Sequence, residues 1–181
     1  MVAGDNPNMG NQFENYIPPS WNEFFLRKAY LTATKSKDPR TKYGAILVKD
    51  NHQIAEGYNG IPSGVIDNSQ RLHKDNKENY IVHAEQNCCF MAARHGISID
   101  GASLYCQGLS CVNCTKALIQ SGVKTVFYHK QWQDIVGKIE RPWVKLLDIS
   151  REMMLECNIT IKKIDVVLNV DGYLDGKIIK L

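Results

Sequence analysis

The stretch A102-SLYCQGLSCVNCTKALIQSGVKTVFY-H129 decides the fold. "ASLYCQ" and "KTVFYH" are short β-prone runs. Between them "CVNCTKALIQSG" places apolar residues at helical spacing and stops at Gly122, a common helix C-terminal residue. A strand, a short amphipathic helix and a second strand in so few residues argue parallel pairing through a crossover. Upstream, the pattern is helical from Val82 through Arg94, with Gly96 as the stop. "GAILVKDNHQIAEGYNG" reads as a β-hairpin around Asp50-Asn51. The chain is therefore expected to be an α/β layered domain whose mixed sheet is opened by an antiparallel hairpin.

Outside this centre, "PPSWNEFFLRKAYLTATKS" predicts a helix with Ser20 as N-cap and Glu23 as its capping-box partner, followed by apolar Phe24, Phe25, Ala29, Tyr30 and Ala33. Pro39 closes that helix into a loop. Residues 61–79 are polar and irregular and are expected to border a site. "RPWVKLLDISREMMLEC" predicts one helix with Pro142 near its start, and the tail predicts strands broken by Asp-Gly turns. Residues 1–18 are expected to be a flexible arm and 19–181 a single domain.

The 181 residues are 44% hydrophobic and 23% charged, a globular composition that excludes disorder. A net charge of +3 from 22 basic and 19 acidic residues, interspersed along the chain, disfavours long nucleic acid but allows a small anion. No apolar run reaches the roughly 18–20 residues of a membrane span. A cytoplasmic location is expected, and under reducing conditions the six cysteines read as metal ligands, catalytic groups or buried hydrophobes rather than disulfides.

Three features carry chemistry together. His83-Ala84-Glu85 opens one predicted helix, and Ser110-Cys111-x-x-Cys114 opens another. Each is weak alone. Jointly they offer one imidazole and two thiolates, and a catalytic zinc takes three protein ligands and keeps a position for water. The helix start lowers thiol pKa values, and zinc lowers the pKa of its water toward about 7. Glu85, left unligated, can act as general base and then general acid, the chemistry of hydrolytic ammonia loss from an aminopyrimidine or aminopurine. His-x-Glu with Cys-x-x-Cys is a known signature of zinc nucleobase deaminases and not a deduction from spacing alone. The rival is a closed structural zinc completed by Cys106. Cys88, Cys89 and Cys157 are expected as small buried hydrophobes, and Trp21, Trp143 and Tyr16 as core or interface aromatics.

From about Trp21 to Tyr128 the chain resembles the deoxycytidylate deaminases of the zinc-dependent cytidine deaminase superfamily, more the eukaryotic and phage forms than the nucleoside or tRNA enzymes. The resemblance rests on "WNEFFLRKAYLTATKSKDPRTKYGAILV", "GYNGIPSG", "HAEQN" and "SCVNCTKALIQSGVK". It implies a three-layer α/β/α fold, Zn²⁺ on His83, Cys111 and Cys114, and Glu85 as proton shuttle. The reaction would convert dCMP to dUMP for thymidylate synthesis, in a host's cytoplasm if the chain is phage-encoded. Alternatives are dCTP, a nucleoside or a nucleic-acid base as substrate, or an idle nucleotide sensor. Asn59 is implied to bind the deoxyribose, with Ala84 and Ser110 as further substrate contacts. Tyr128 or Trp132 would stack on the base, Tyr128 slightly preferred, and the phosphate would meet one of Arg71, His73, Lys74 or Lys130.

The same resemblance implies a homohexamer activated by dCTP and inhibited by dTTP, with Mg²⁺ on the triphosphate. Gly57, Asn59, Gly60 and Gly64 of "GYNGIPSG", with Ser36, Lys37 and Asp38, would form the effector site. The chain departs from the superfamily at Ser110, where Pro is usual. A serine there is expected to cap the Cys111 helix.

Overall fold

A computed structural model describes residues 16–181; the expected arm lies, through residue 15, outside the described residues. The first helix, α1 (Trp21–Ala33), begins as its sequence predicts. Ser20 accepts the Glu23 N–H, and the Glu23 carboxylate accepts the Ser20 N–H. Strands β1 (Gly44–Lys49) and β2 (His52–Tyr58) pair antiparallel. Their connection, Asp50-Asn51, has positive φ at both positions, as a tight hairpin turn requires.

Helix α2 (Ala84–Arg94), strand β3 (Ser103–Cys106), helix α3 (Val112–Gln120) and strand β4 (Thr125–His129) follow. A short helix, α4 (Lys130–Val136), begins directly at the end of β4, where no helix is expected from sequence. The single helix expected from Arg141 to Cys157 is two, α5 (Pro142–Lys145) and α6 (Leu147–Glu156), meeting at Leu146; Pro142 does occupy the first turn of α5. Strand β5 (Thr160–Ile164) completes a five-stranded sheet in the order β2-β1-β3-β4-β5. In it β3, β4 and β5 run parallel and the β1–β2 hairpin lies at one side. Strands β6 (Asp171–Leu174) and β7 (Lys177–Lys180) form a separate hairpin. Its turn is Asp175-Gly176; the other Asp-Gly pair, Asp171-Gly172, lies within β6.

Alternation along the strands splits the core in two. Ala45, Leu47, Leu104, Cys106, Val126 and Tyr128 face α2, α3 and α6. Ile46, Val48, Tyr105 and Phe127 face α1, α4 and the C-terminal segment. The sheet is thus covered on both sides, the three-layer arrangement expected. Trp21, Trp143 and Tyr16 are well exposed and outside both cores, and Cys157 is exposed, unlike its expectation. Cys88 and Cys89 are buried, as expected of small hydrophobes.

One close approach sets the position of α2. A Cβ on Gly57 of β2 would lie 2.4 Å from the Ala84 carbonyl oxygen and 2.6 Å from the Cys88 backbone nitrogen. The missing side chain makes room for the helix. Gly57 thus serves helix packing, a role its sequence context did not signal.

Candidate active site

The starts of α2 and α3 converge. His83 is the N-cap of α2 and Cys111 the N-cap of α3, each in extended conformation before its helix, so their side chains leave the helix ends. Cys114 lies one turn into α3 on the same face. The Sγ atoms of Cys111 and Cys114 each stand 3.4 Å from His83 Nδ1. A tetrahedral zinc with Zn–S of about 2.3 Å and Zn–N of about 2.0 Å would set sulfur and nitrogen about 3.5 Å apart, so the donor set fits such an ion. Cys106 is not in this group. It is fully buried and donates to the Gly108 and Phe127 carbonyls, as a core thiol does.

The electrostatics are those of a proton-sharing cluster. Cys111 is held down to about 4, first by the hydrogen bond with Cys114 and then, against burial, by His83. The His83 imidazole is pushed up to about 9, chiefly by its hydrogen bond to Cys111. Cys114 moves the other way and keeps its proton, first because of Cys111 and then through burial. A divalent cation would replace those protons. Glu85 is buried, and the Cys114 thiol lies 3.5 Å from its Oε2. Burial foremost raises its pKa, as suits a carboxyl that must both take and give a proton.

These groups open into a cavity of about 360 Å³, within the range of small-ligand sites. Tyr43 and Trp132 form one wall, their rings edge to face at 5.9 Å. Tyr43 is fixed because its hydroxyl donates to the Gly108 carbonyl and accepts the Gly108 N–H. Also in the lining, the buried Asp38 carboxylate accepts from the Arg40 and Thr41 N–H groups, the Asn59 amide and, at 2.7 Å, the Lys77 ammonium.

Residues 19–130 match the family described as the cytidine and deoxycytidylate deaminase zinc-binding region. The chain belongs to that family. ComE operon protein 2 of Bacillus subtilis is 35% identical over 116 residues, 63% of this chain and 61% of that protein. Human deoxycytidylate deaminase is 34% identical over 115 residues, covering 60% and 64%. The chain thus spans about three-fifths of the length of these relatives. The crystal structure of dCMP deaminase from cyanophage S-TIM5 with dCMP and dUMP superposes with a TM-score of 0.64 at 30% identity, covering 82% of this chain and all of that one.

Seen against this family, several expected contacts move. Tyr128 lies in the core beside α2 and α3 and does not line the cavity, whereas Trp132 does. The slight preference for Tyr128 as the stacking ring is corrected by the parity of β4. Neither Arg71, His73, Lys74 nor Lys130 lines the cavity; Arg71 covers the Tyr80 ring, and Lys130 pairs with Asp134. The cations that do line it are Arg40, Lys77 and Arg141. Ser110 does not cap α3, because Cys111 holds the N-cap position. The buried Ser110 hydroxyl makes no hydrogen bond of ordinary geometry among the described residues, but it is near enough to Glu85 and Cys106 to offset part of the rise that burial gives the pKa of each.

Ala84, first residue of α2, lines the cavity, as does Asn59. Both amide protons of Asn59 are committed, to Asp38 and the Thr41 carbonyl, and its oxygen accepts the Tyr43 N–H. One lone pair remains for a ligand. Ser36 is buried with its hydroxyl on the Asn59 carbonyl. Lys37 is exposed and paired with Asp67, and Gly60 bridges Val82. Gly64 is exposed, with φ +86°.

Proposed function

We propose that this chain is a zinc-dependent deaminase converting dCMP and water to dUMP and ammonia. One observation carries the reading: two thiols and an imidazole at zinc-ligand spacing, with a buried, unligated Glu85 beside them, on a nucleotide-sized cavity. The names of the relatives and of the dCMP complex support the substrate.

His83 Nδ1 and the sulfurs of Cys111 and Cys114 would hold Zn²⁺, whose Lewis acidity makes water nucleophilic near neutral pH. Glu85 takes the proton of the attacking water and gives it to the ring nitrogen beside the amine-bearing carbon. It then carries a second proton to the departing amine. Burial keeps that carboxyl's pKa raised, so both transfers run close to balance. Tyr43 and Trp132 line the cavity where the base would sit, and the free lone pair of Asn59 Oδ1 can accept a sugar hydroxyl. Substrate contacts at Ala84 and Ser110 belong to the same reading. Activation by dCTP and inhibition by dTTP with Mg²⁺, at a site near Lys37 and Gly64 in a hexamer, rest on the family resemblance.

The test is ammonia release across dCMP, dCTP, CMP and deoxycytidine, with and without dCTP or dTTP as effector. Preference for dCMP is expected. Glu85→Gln should lower turnover by about 10²–10⁴-fold with zinc content unchanged; full turnover in that variant would sink the mechanism.

A further inference from the structure

The cavity lining includes a cluster that lies only partly within the family region. Asp175 sits at the tip of the β6–β7 hairpin, and its Oδ1 accepts from Arg40 Nη2 at 3.0 Å and from Arg141 Nη2. All three residues line the same cavity as His83, Glu85 and Cys111. Arg141 and Asp175 follow the matched region, which ends at residue 130. We infer that Arg40 and Arg141 are the subsite for the substrate's 5′-phosphate, and that Asp175 is the positioning residue that holds the two guanidiniums together. The inference rests on the dCMP reading above.

The charge balance favours an anion. Two guanidiniums against one carboxylate leave the cluster with a net charge of +1. Each guanidinium spends one nitrogen on Asp175, and its remaining N–H donors make no hydrogen bond among the described residues. Planar forks with spare donors suit a phosphate, which offers acceptor oxygens in several directions. Both guanidiniums are partly exposed, Arg40 at 38% and Arg141 at 28% of the side chain. Lys77, the remaining cation of the cavity, is engaged by the buried Asp38.

The placement is built rather than incidental. Asp175 and Gly176 form a tight turn with positive φ at both positions. The turn is fastened to the loop carrying Arg40: the Gly176 N–H donates to the Arg40 carbonyl at 2.8 Å, and the Lys42 N–H donates to the Tyr173 carbonyl at 3.0 Å. The hairpin therefore fixes the carboxylate relative to Arg40, and Arg141 reaches the same oxygen from the start of α5.

Steady-state kinetics on zinc-loaded full-length protein test this. Arg40→Gln and Arg141→Gln should each raise KM for dCMP by about ten- to a hundredfold, with kcat within threefold of wild type. A KM within twofold of wild type in both variants, or a fall in kcat at unchanged KM, overturns the assignment. Should a Gln variant fail to fold, as read by its melting temperature, Arg40→Lys and Arg141→Lys keep the charge and lose the fork. They are then expected to raise KM threefold or more, and an unchanged KM again overturns it. Failure of the wild type to release ammonia from dCMP would instead refute the functional reading, so the two failures are distinguishable.

Discussion

Replacing Gly57 with alanine should injure the active site without removing any group from it. The added methyl would lie 2.4 Å from the Ala84 carbonyl oxygen, where real Cβ contacts almost never fall below 3.0 Å. Either β2 or the first turn of α2 must therefore yield by about 0.6 Å, and neither neighbour is a flexible side chain. Overpacking of this kind costs about 1–3 kcal/mol, which at this chain length lowers the melting temperature by about 3–10 °C. Ala84 lies between His83 and Glu85 in sequence, so the displacement reaches both. A misplacement of 1 Å at a reacting centre costs about 10²-fold in rate, and about tenfold is expected here. The assay is ammonia release at saturating dCMP alongside thermal unfolding. Gly101→Ala is the control, since its φ is +80° but nothing lies within 4 Å of the new methyl. It should show the strain cost of about 1 kcal/mol and normal turnover. Wild-type stability and kcat in Gly57→Ala would refute the packing argument.

Two further outcomes are expected. Ser110→Ala removes a buried hydroxyl that makes no hydrogen bond of ordinary geometry among the described residues, so the melting temperature should hold or rise by a few degrees; a fall of more than about 3 °C would show that the hydroxyl is bonded, and a raised KM for dCMP would place it against substrate. His129 is fully buried, its Nδ1 accepting from the Tyr30 hydroxyl and its Nε2–H donating to the Val166 carbonyl, both at 2.8 Å. That arrangement needs the neutral ring, and burial holds its pKa below the ordinary value. The unfolded chain therefore binds the proton first, and stability falls as pH drops below about 6.5 toward the depressed folded value. At saturating zinc, His129→Gln should flatten the decline of melting temperature between pH 7.5 and 5. An unchanged slope would mean that another group dominates.

What could be read from sequence was local. Ser20 and Glu23 are three residues apart and cap one helix, and Cys111 and Cys114 are one turn apart. His83 and Glu85 flank a single residue. The strand-helix-strand order of residues 102–129 was legible for the same reason. Features assembled across the chain were not. Arg40 and Asp175 are 135 positions apart, and no spacing rule could pair them; four other cations looked equally suited to a phosphate. Tyr128 was partly recoverable, because strand alternation puts it on the face of Val126, which is core. Helix α4 is short and starts at the last residue of β4 without a side-chain cap, so it leaves no start signal. The cap of α3 was displaced by one residue because Cys111, a metal-type ligand, occupies the position that serine usually takes.

The segment between Gly60 and Lys77 is clamped at both ends. Gly60 and Val82 exchange two backbone hydrogen bonds, and the Lys77 ammonium is buried on Asp38. No residue from 61 to 76 lines the cavity. Doubling the length of such a loop adds only about 0.6 kcal/mol of closure entropy, and the clamps keep that change from reaching the catalytic groups. It is therefore a place where the protein can accept a foreign peptide, such as an epitope or a reporter, while the chemistry beside it runs on.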